Sequence, residues 1–209
     1  MYGEGQHGNA RLTKDSYENI AKHLKPVLTG SDEIIVLAGY YVVDRSGKFM
    51  TYYRNGNDVI AAQVANALDA DLNENWTDTN GILAADPRII DNPPSIRHLT
   101  YGEATQLASA GAKVLHEDTL SPLEEKAIPL RVKNTNNLED QGTLISAYKP
   151  ANGRIVEGVA LKEGYTLVYI DRMGVNTDGS AVKIRRLFEE HGFTVEQDQS
   201  GPHSYTLAV

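Results

Sequence analysis

Residues 75–88 read Asn-Trp-Thr-Asp-Thr-Asn-Gly-Ile-Leu-Ala-Ala-Asp-Pro-Arg, and this stretch decides how the chain is expected to fold. It is polar where a strand should end and apolar where the next segment resumes. Thr77 and Asp78 directly follow Trp76, so a hydroxyl and a carboxylate are expected at the terminus of a strand. The stretch therefore predicts a strand followed by a polar loop.

The middle and the end of this stretch fix the path of the predicted loop. The dipeptide Asn80-Gly81 tolerates positive φ and is typical of a turn. Pro87 restricts the residue before it to extended conformations, and Arg88 then presents a rigid fork of donors. A turn, an extended exit and a cation therefore follow the strand in that order.

Such a loop has two interpretations. It could surround a nucleotide, with Thr77 and backbone amides as hydrogen-bonding groups, Asp78 as an acceptor for a base or ribose, and Arg88 suited to phosphate. It could also be an ordinary connection between a strand and a helix, ended by a proline. Residue types alone favour the ordinary connection.

Several spaced motifs resemble the nucleotide-binding signature of the aspartokinases. The first is Trp-Thr-Asp at residues 76–78, followed by Gly-Ile at 81–82 and Ala-Asp-Pro-Arg at 85–88. The others follow in the right order: Leu-Thr-Tyr-Gly-Glu at 99–103, Gly-Ala-Lys-Val-Leu-His at 111–116, Ile-Pro-Leu-Arg-Val at 128–132 and Gly-Thr-Leu-Ile at 142–145. The resemblance covers roughly residues 33–146 and is specific as a set, because several motifs must coincide.

This resemblance implies a fold with two parts. Residues 1–149 would be the nucleotide-binding half of an amino acid kinase domain, an α/β fold of the αβα-sandwich type with a mainly parallel sheet. The alternation of strands and helices independently predicts such a sheet. Residues 155–209, read as β-α-β-β, resemble the start of a ferredoxin-like ACT domain, the amino-acid-sensing module of the same family.

The resemblance also implies an activity and its nucleotide site. The activity is transfer of phosphate from ATP to L-aspartate, giving 4-phospho-L-aspartate for lysine, threonine and methionine synthesis, with Mg²⁺ bound to the ATP. The implied nucleotide-binding residues are Thr77, Asp78, Leu83, Ala84, Ala85, Asp86, Pro87, Arg88 and Lys113. A lysine near the end of a helix is also common on electrostatic grounds alone, so Lys113 carries little information by itself.

A second loop, at residues 54–58, reads Arg-Asn-Gly-Asn-Asp before an alanine-rich helix. In aspartokinases the corresponding loop usually reads Arg-Gly-Gly-Ser-Asp, and it holds the substrate aspartate. The resemblance assigns Arg54, Gly56 and Asn57 to substrate binding and Asp58 to catalysis. Asn55 replaces a glycine, which puts a side chain into a loop built for close backbone approach, and Asn57 replaces the serine. Asn57 or Asp58 is also expected to cap the buried helix.

The C-terminal part is expected to bind an effector amino acid and to pair with another chain. The effector residues implied are Met173, Asn176, Asp178, Gly179 and Ser180, where a loop opens a helix N-terminus that can receive a carboxylate. Thr177 or Asp178 would cap that helix. A β-α-β-β unit leaves a sheet edge with unpaired amides and carbonyls. We therefore expect a homo-oligomer through residues 155–209.

Composition limits the other classes of function. The chain has 209 residues and a formal charge of -8, which gives no electrostatic footprint for nucleic acid or an anionic membrane. It contains no cysteine, so disulfides and thiolate chemistry are excluded. No apolar run approaches a membrane span, which makes the cytoplasm the default location. No histidine has a metal-like spacing with another, so no metal site is predicted and His116 is interpreted as structural.

One family segment does not occur in this sequence. The N-terminal Lys-Phe-Gly-Gly motif, whose lysine neutralises charge on the transferred phosphoryl group, is missing. We therefore expect the chain alone to be inactive or weakly active. The alternative is a non-catalytic amino-acid-sensing regulatory chain or pseudokinase. A kinase of the same fold with another substrate, such as glutamate 5-kinase, is a third option.

Local patterns predict five further features. They are a helix over residues 14–25 ended by Pro26, a strand buried on both faces at 34–38, a capping box from Thr100 to Glu103, a helix capped by Ser121, and a strand at 193–196.

Overall fold

The computed structural model describes residues 1–30, 32–52, 56–112, 115–161, 163–171, 179–201 and 204–209. The chain forms two compact units, Met1–Leu161 and Lys162–Val209. Residues 155–161, which we placed in the second domain, lie in the first unit. The physical reason is a backbone bond in which the N–H of Val159 donates to the carbonyl of Ala84 at 2.8 Å.

Twelve of the helices and strands in the described residues belong to the first unit and four to the second. The first unit contains β1 (Gly3–Gln6), β2 (Asn9–Leu12), α1 (Lys14–Gly30), β3 (Tyr41–Val43), β4 (Phe49–Thr51), α2 (Gly56–Leu68), β5 (Asn73–Thr77), β6 (His98–Thr100), α3 (Tyr101–Ser109), α4 (Glu117–Glu125), β7 (Leu130–Asn134) and β8 (Thr143–Ser146). The second unit contains β9 (Leu167–Asp171), α5 (Ser180–Glu190), β10 (Gln197–Ser200) and β11 (Ser204–Ala208).

A four-stranded sheet organises the first unit. Its strand order is β5-β7-β8-β6, with β5–β7 and β6–β8 parallel and β7–β8 antiparallel. Leu130, Val132 and Ile145 are buried on one face, in a core shared with residues of α2, α3 and α4. On the other face, Lys133 Nζ lies 4.9 Å from the centroid of the Trp76 ring. The mixed α/β class and the mainly parallel sheet are confirmed.

Helix α2 joins two cores. Its residues Ala62 and Ala65 pack against the sheet, while Val59 and Ile60 belong to a second core beneath the β3–β4 hairpin. The predicted buried, alanine-rich helix is confirmed. It starts at Gly56, so Asn57 and Asp58 lie in its first turn and are not its cap.

Gly56 is held close to the residue that precedes the undescribed segment 53–55. A Cβ at Gly56 would lie 2.2 Å from Cβ of Tyr52. Because real atoms do not approach so closely, the entry into α2 requires glycine.

The local predictions at Pro26 and at residues 34–38 are wrong. Helix α1 continues through Pro26 to Gly30. Proline removes one helical hydrogen bond, but this part of α1 is exposed, so water can hydrate the Lys22 carbonyl that is left without its partner. The apolar run 34–38 forms no strand, and Ile34 and Val36 are 91% and 89% exposed. The described residues provide no neighbouring strand for this run, so its hydrophobic pattern is not buried.

Helix α4 starts earlier than its sequence predicts. It begins at Glu117, and its N-cap is His116, whose Nδ1 accepts the backbone N–H of Asp118 at 3.3 Å. The predicted cap, Ser121, therefore lies inside the helix together with Pro122. By contrast, the capping box at the start of α3 is confirmed in both of its hydrogen bonds, between Thr100 and Glu103.

The second unit has the predicted β-α-β-β order. Its sheet is antiparallel with the order β10-β11-β9, and Val195, Tyr205 and Leu207 form the centre of its core. The strand begins at Gln197 and not at residue 193, and the N–H of Phe193 instead closes the end of α5 by donating to the carbonyl of Phe188. The N-cap of α5 is Gly179, in a left-handed conformation, in place of the predicted Thr177 or Asp178. Residues 177 and 178 themselves lie outside the described residues.

The first prediction concerns Gly142, which starts the turn into β8. Its φ is 67°, and a Cβ would lie 1.8 Å from the carbonyl oxygen of Val132. We expect Gly142→Ala to lower the free energy of unfolding by about 3 kcal/mol or more, through backbone strain and overlap. Urea denaturation measures this change.

Gly153 provides the matched control. Its φ is 71°, but a Cβ there would meet nothing within 4 Å. Gly153→Ala should cost only the strain of the left-handed conformation, about 1 kcal/mol. Equal losses in the two variants would contradict the close approach at Gly142.

Candidate functional site

The loop after β5 encloses a cavity of about 310 Å³. Helix α3 and the turn after it, at Gly111 and Ala112, form a second side, and residues 159–161 form a third. Seven of the nine predicted nucleotide-binding residues line it: Thr77, Asp78, Leu83, Ala85, Asp86, Pro87 and Arg88. The predicted loop thus folds around an open space and is not a tight connection.

The two remaining predicted residues, Ala84 and Lys113, are not among the described lining residues. Ala84 is not part of the lining; its carbonyl accepts the N–H of Val159, and its N–H donates to the carbonyl of Pro94 at 2.9 Å. Lys113 lies outside the described residues. Its neighbour Ala112 lines the cavity.

The lining of the cavity is divided by chemistry. Hydroxyl and carboxylate groups come from Thr77, Asp78 and Thr79, and the hydroxyl of Thr77 donates to Oδ1 of Asp78 at 3.3 Å. Apolar atoms come from Ile82, Leu83 and Leu107 and from residues 159–161. A mostly apolar cavity with a few convergent polar groups is the usual form of a small-molecule site.

Arg88 is held by a neighbouring carboxylate at the edge of this cavity. Its Nε donates to both oxygens of Asp86 at 3.0 Å, and its backbone N–H donates to Oδ1 at 2.8 Å. The Asp86 side chain is mostly buried, whereas that of Arg88 is mostly exposed. A phosphate at this position would therefore share the Arg88 guanidinium with the Asp86 carboxylate, or displace that carboxylate from it.

The buried hydroxyl of Thr143, on β8, holds the loop in place through two hydrogen bonds. This hydroxyl accepts the N–H of Ile82 at 2.8 Å and donates to the carbonyl of Ile96 at 2.5 Å. Gly81 has a φ of 86°, and a Cβ there would lie 2.4 Å from the same hydroxyl. The motif at residues 142–145 pointed to this region, but the sequence did not identify Thr143 as the group that shapes the loop.

A second cluster surrounds Asp58, the predicted catalytic residue. Burial raises the pKa of the Asp58 carboxyl, while a side-chain hydrogen bond from Asn75 and the charge of His116 act in the opposite direction. Asn75 was not predicted as a site residue, and His116 was predicted to be only structural. Packing of α2 against α4, with β5 beside α2, brings these three residues together.

The other residues of the predicted aspartate loop are only partly described. Gly56 and Asn57 form the start of α2, and Arg54 lies outside the described residues. A Cβ at Gly39 would lie 2.8 Å from Oδ1 of Asn57, so the Asn57 side chain packs against the backbone of Gly39.

Of the predicted effector residues, only two are described. Gly179 is the left-handed N-cap of α5 and Ser180 is the first residue of that helix. Met173, Asn176 and Asp178 lie outside the described residues.

Neither a cluster of metal ligands nor a membrane-spanning helix is found in the described residues. No three side chains of His, Asp or Glu in that part of the chain are grouped so that they could hold a metal ion. Within the same residues, no helix combines the length and the apolar character needed to cross a membrane.

The model of the amino acid kinase family matches residues 3–134, which is more than half of the chain. The chain belongs to the amino acid kinase family. Within that family it is similar to aspartokinase 3 of Bacillus subtilis, with 33% identity over 100% of this chain and 45% of the relative.

Solved structures of the same kind agree with this amino acid kinase assignment. The aspartate kinase of Clostridium acetobutylicum, described as an allosteric enzyme, has 36% identity and a TM-score of 0.79 over 94% of this chain and 45% of its own. Escherichia coli aspartokinase III, in complex with aspartate and ADP, has 27% identity and a TM-score of 0.80 over 100% of this chain and 46% of its own. The chain thus spans less than half the length of these proteins.

The second prediction tests the role of the Thr143 hydroxyl. Thr143→Val keeps the shape of the side chain but leaves the N–H of Ile82 and the carbonyl of Ile96 without their partner. We expect a loss of about 2 kcal/mol in unfolding free energy. We also expect amide exchange at Ile82 to become at least about tenfold faster, because its donor loses a bond worth roughly 1.4 kcal/mol or more.

The matched variant is Thr143→Ser, which keeps the hydroxyl and removes one methyl group, at a cost of about 1 kcal/mol. Its Ile82 amide should exchange at nearly the rate of the unmodified chain. Exchange that is equally fast in both variants would show that the hydroxyl does not hold the loop.

Proposed function

We propose that this chain carries the nucleotide-binding part of an aspartokinase-type phosphotransferase, which transfers phosphate from ATP to L-aspartate. The observation that supports it most is the cavity of about 310 Å³ enclosed by the loop at residues 77–88. The residues of the aspartokinase-like motif face one open space there. Similarity to an aspartokinase solved with ADP and aspartate supports the same substrates.

In this function the two ends of the cavity have different roles. Thr77 and Asp78 supply hydrogen-bonding groups for the ribose or base. Arg88 binds a phosphate by releasing the Asp86 carboxylate. This exchange is possible because a guanidinium binds both groups in the same planar geometry. Lys113 would add a second positive charge at the phosphates.

Asp58 would assist phosphoryl transfer next to the loop that holds aspartate. Its raised pKa reflects partial burial, and the Asn75 hydrogen bond keeps its carboxylate oriented. Positioned charges of this kind lower the barrier in phosphoryl transfer. Arg54, Gly56 and Asn57 would contact the aspartate substrate.

Mg²⁺ would enter with ATP. Magnesium is usually held by substrate phosphates and one or two carboxylates, so a dedicated cage of protein ligands is not required. Its chemistry would be the neutralisation of phosphate charge. Two described carboxylates, Asp78 and Asp86, line the cavity, and Asp86 lies beside Arg88 at the phosphate end, where it is suited to approach such an ion.

The second unit would sense an amino acid. Its β-α-β-β order and antiparallel sheet fit the beginning of a ferredoxin-like ACT domain. The left-handed Gly179 and the following Ser180 open α5, where backbone N–H groups can receive a carboxylate. Residues 173–180 would form this effector site.

One observation favours a second candidate, a non-catalytic amino-acid-sensing chain or pseudokinase. Asn57 stands where the aspartokinase motif usually has serine, and its amide packs against Gly39. That contact occupies space next to the proposed aspartate site. Binding of aspartate, measured separately from binding of ADP, distinguishes the two candidates. The pseudokinase would bind ADP but would not bind aspartate at this site.

The third prediction tests the nucleotide site. Calorimetric titration with Mg-ADP should show weak binding, and Asp78→Ala should weaken it by about tenfold, because a hydrogen bond to a charged group contributes roughly 1.5–3 kcal/mol. Asp71→Ala, at an exposed carboxylate before β5, is the control and should bind like the unmodified chain. Absence of binding in the unmodified chain would refute the assignment.

The fourth prediction concerns assembly through the second unit. Leu167 and Tyr169 are 72% and 66% exposed on the same face of β9, whereas Val168 and Ile170 pack inward. We expect the chain to form a dimer of about twice 22.9 kDa in light scattering, because pairing removes this apolar surface from water.

The double variant Leu167→Lys/Tyr169→Lys should shift the mass to that of a monomer. Val182→Lys, at an equally exposed position on α5, should leave the dimer intact. A monomeric unmodified chain at micromolar concentration would contradict the expected pairing.

A further inference from the structure

Residues 147–161 connect β8 to the end of the first unit. The proposed function gives this segment no role, yet its last residues form one wall of the cavity. Val159, Ala160 and Leu161 line the same space as the loop at residues 77–88. The N–H of Val159 donates to the carbonyl of Ala84, inside that loop, at 2.8 Å. Two segments far apart in sequence thus form adjoining walls of one site.

A partly buried ionic cluster anchors this segment just before the wall. Oε1 of Glu157 accepts from Nζ of Lys149 at 2.8 Å and from Nδ2 of Asn152 at 2.7 Å. Lys149 also pairs with Glu103, the residue that closes the capping box of α3. The segment is therefore tied to the start of α3.

The ionisation of this cluster is fixed by its own members. The hydrogen bond from Lys149, and then that from Asn152, hold the pKa of Glu157 below its ordinary value. Hydrogen bonds to Glu103 and Glu157 raise the pKa of Lys149. Both groups therefore stay charged near neutral pH, and the ties persist there.

The path between the anchor and the wall is tight. A Cβ at Gly158 would lie 3.0 Å from Cδ1 of Ile96 and 3.2 Å from the carbonyl oxygen of Ala84. Gly158 thus lets the backbone lie directly against the loop. A shift of Glu157 would be passed on to Val159, because there is little space between them to absorb it.

The cluster is poorly explained as a stabilising device alone. The Glu157 side chain is only 12% exposed, and its second oxygen, Oε2, is buried without a hydrogen-bond partner among the described residues. A buried ion pair often contributes no net stability, since desolvation offsets the attraction, and an unsatisfied oxygen adds a cost. What such a pair does provide is a defined position for the backbone that carries it.

We propose that Glu157 is a positioning residue that holds residues 159–161 as the wall that packs against the base of a bound nucleotide. The wall is apolar, and the flat faces of a base are the apolar part of a nucleotide. The phosphates would lie at Arg88, whose guanidinium carries a positive charge. This inference rests on the proposed nucleotide-binding function and adds the element that selects for the base.

The fifth prediction separates base binding from phosphate binding. ADP carrying a fluorescent methylanthraniloyl group is titrated by anisotropy, and inorganic tripolyphosphate by calorimetry. Glu157→Leu removes both acceptor oxygens and should weaken ADP binding by about tenfold, while tripolyphosphate affinity stays within about twofold, since one released contact of 1.4 kcal/mol is a factor of ten.

Glu157→Gln keeps an acceptor oxygen in the same place and should restore ADP binding to within about threefold of the unmodified chain. Glu139→Leu, at an exposed glutamate of the same unit, is the matched control and should bind ADP normally. Recovery with glutamine is expected only if the position of the wall, and not the charge alone, matters.

The outcomes are distinct. If the unmodified chain binds no ADP, the nucleotide function itself fails. If it binds ADP and Glu157→Leu binds equally well, or loses ADP and tripolyphosphate to the same degree, the positioning role is overturned. If Glu157→Leu does not fold, the exposed Asn152→Ala decides: ADP affinity reduced by about threefold supports the role, and unchanged affinity overturns it.

Discussion

The candidate site depends on one buried hydroxyl. Thr143 stands at the start of β8 and is fully buried, and its oxygen satisfies one donor and one acceptor from two separate loops. Without it, the N–H of Ile82 and the carbonyl of Ile96 would be buried and unpaired, at a cost of roughly 1–3 kcal/mol each. The start of β8, an inner strand of the sheet, thus determines where the loop turns and, through the loop, where the cavity opens.

Glycines make this arrangement possible. Gly81 and Gly142 both have positive φ, and each lies where a side chain would overlap a neighbour. Gly158 lets the chain before residues 159–161 approach the loop in the same way, although its conformation is ordinary. The cavity therefore depends on close backbone contacts on several sides.

Much of the fold could be predicted from local signals. The capping box at Thr100 depends on residues three apart, and the alternation of buried and exposed residues in β7 is visible in the sequence. The predictions at Pro26 and at residues 34–38 were wrong because burial decides both. A proline is tolerated inside α1 because that part of the helix is exposed to water. An apolar run becomes a strand only when a neighbouring strand pairs with it. Glu157 gave no signal, because its partners are set by the path of the chain after β8.

The place of Trp76 has a practical consequence. It is the only tryptophan in the chain, it immediately precedes Thr77, and 42% of it is exposed. Lys133 sits over its ring on the neighbouring strand. Indole emission responds to nearby charge and to water, so the protein has a built-in optical reporter at the first residues of its loop. Rearrangement of that loop can therefore be followed in real time in the unlabelled protein.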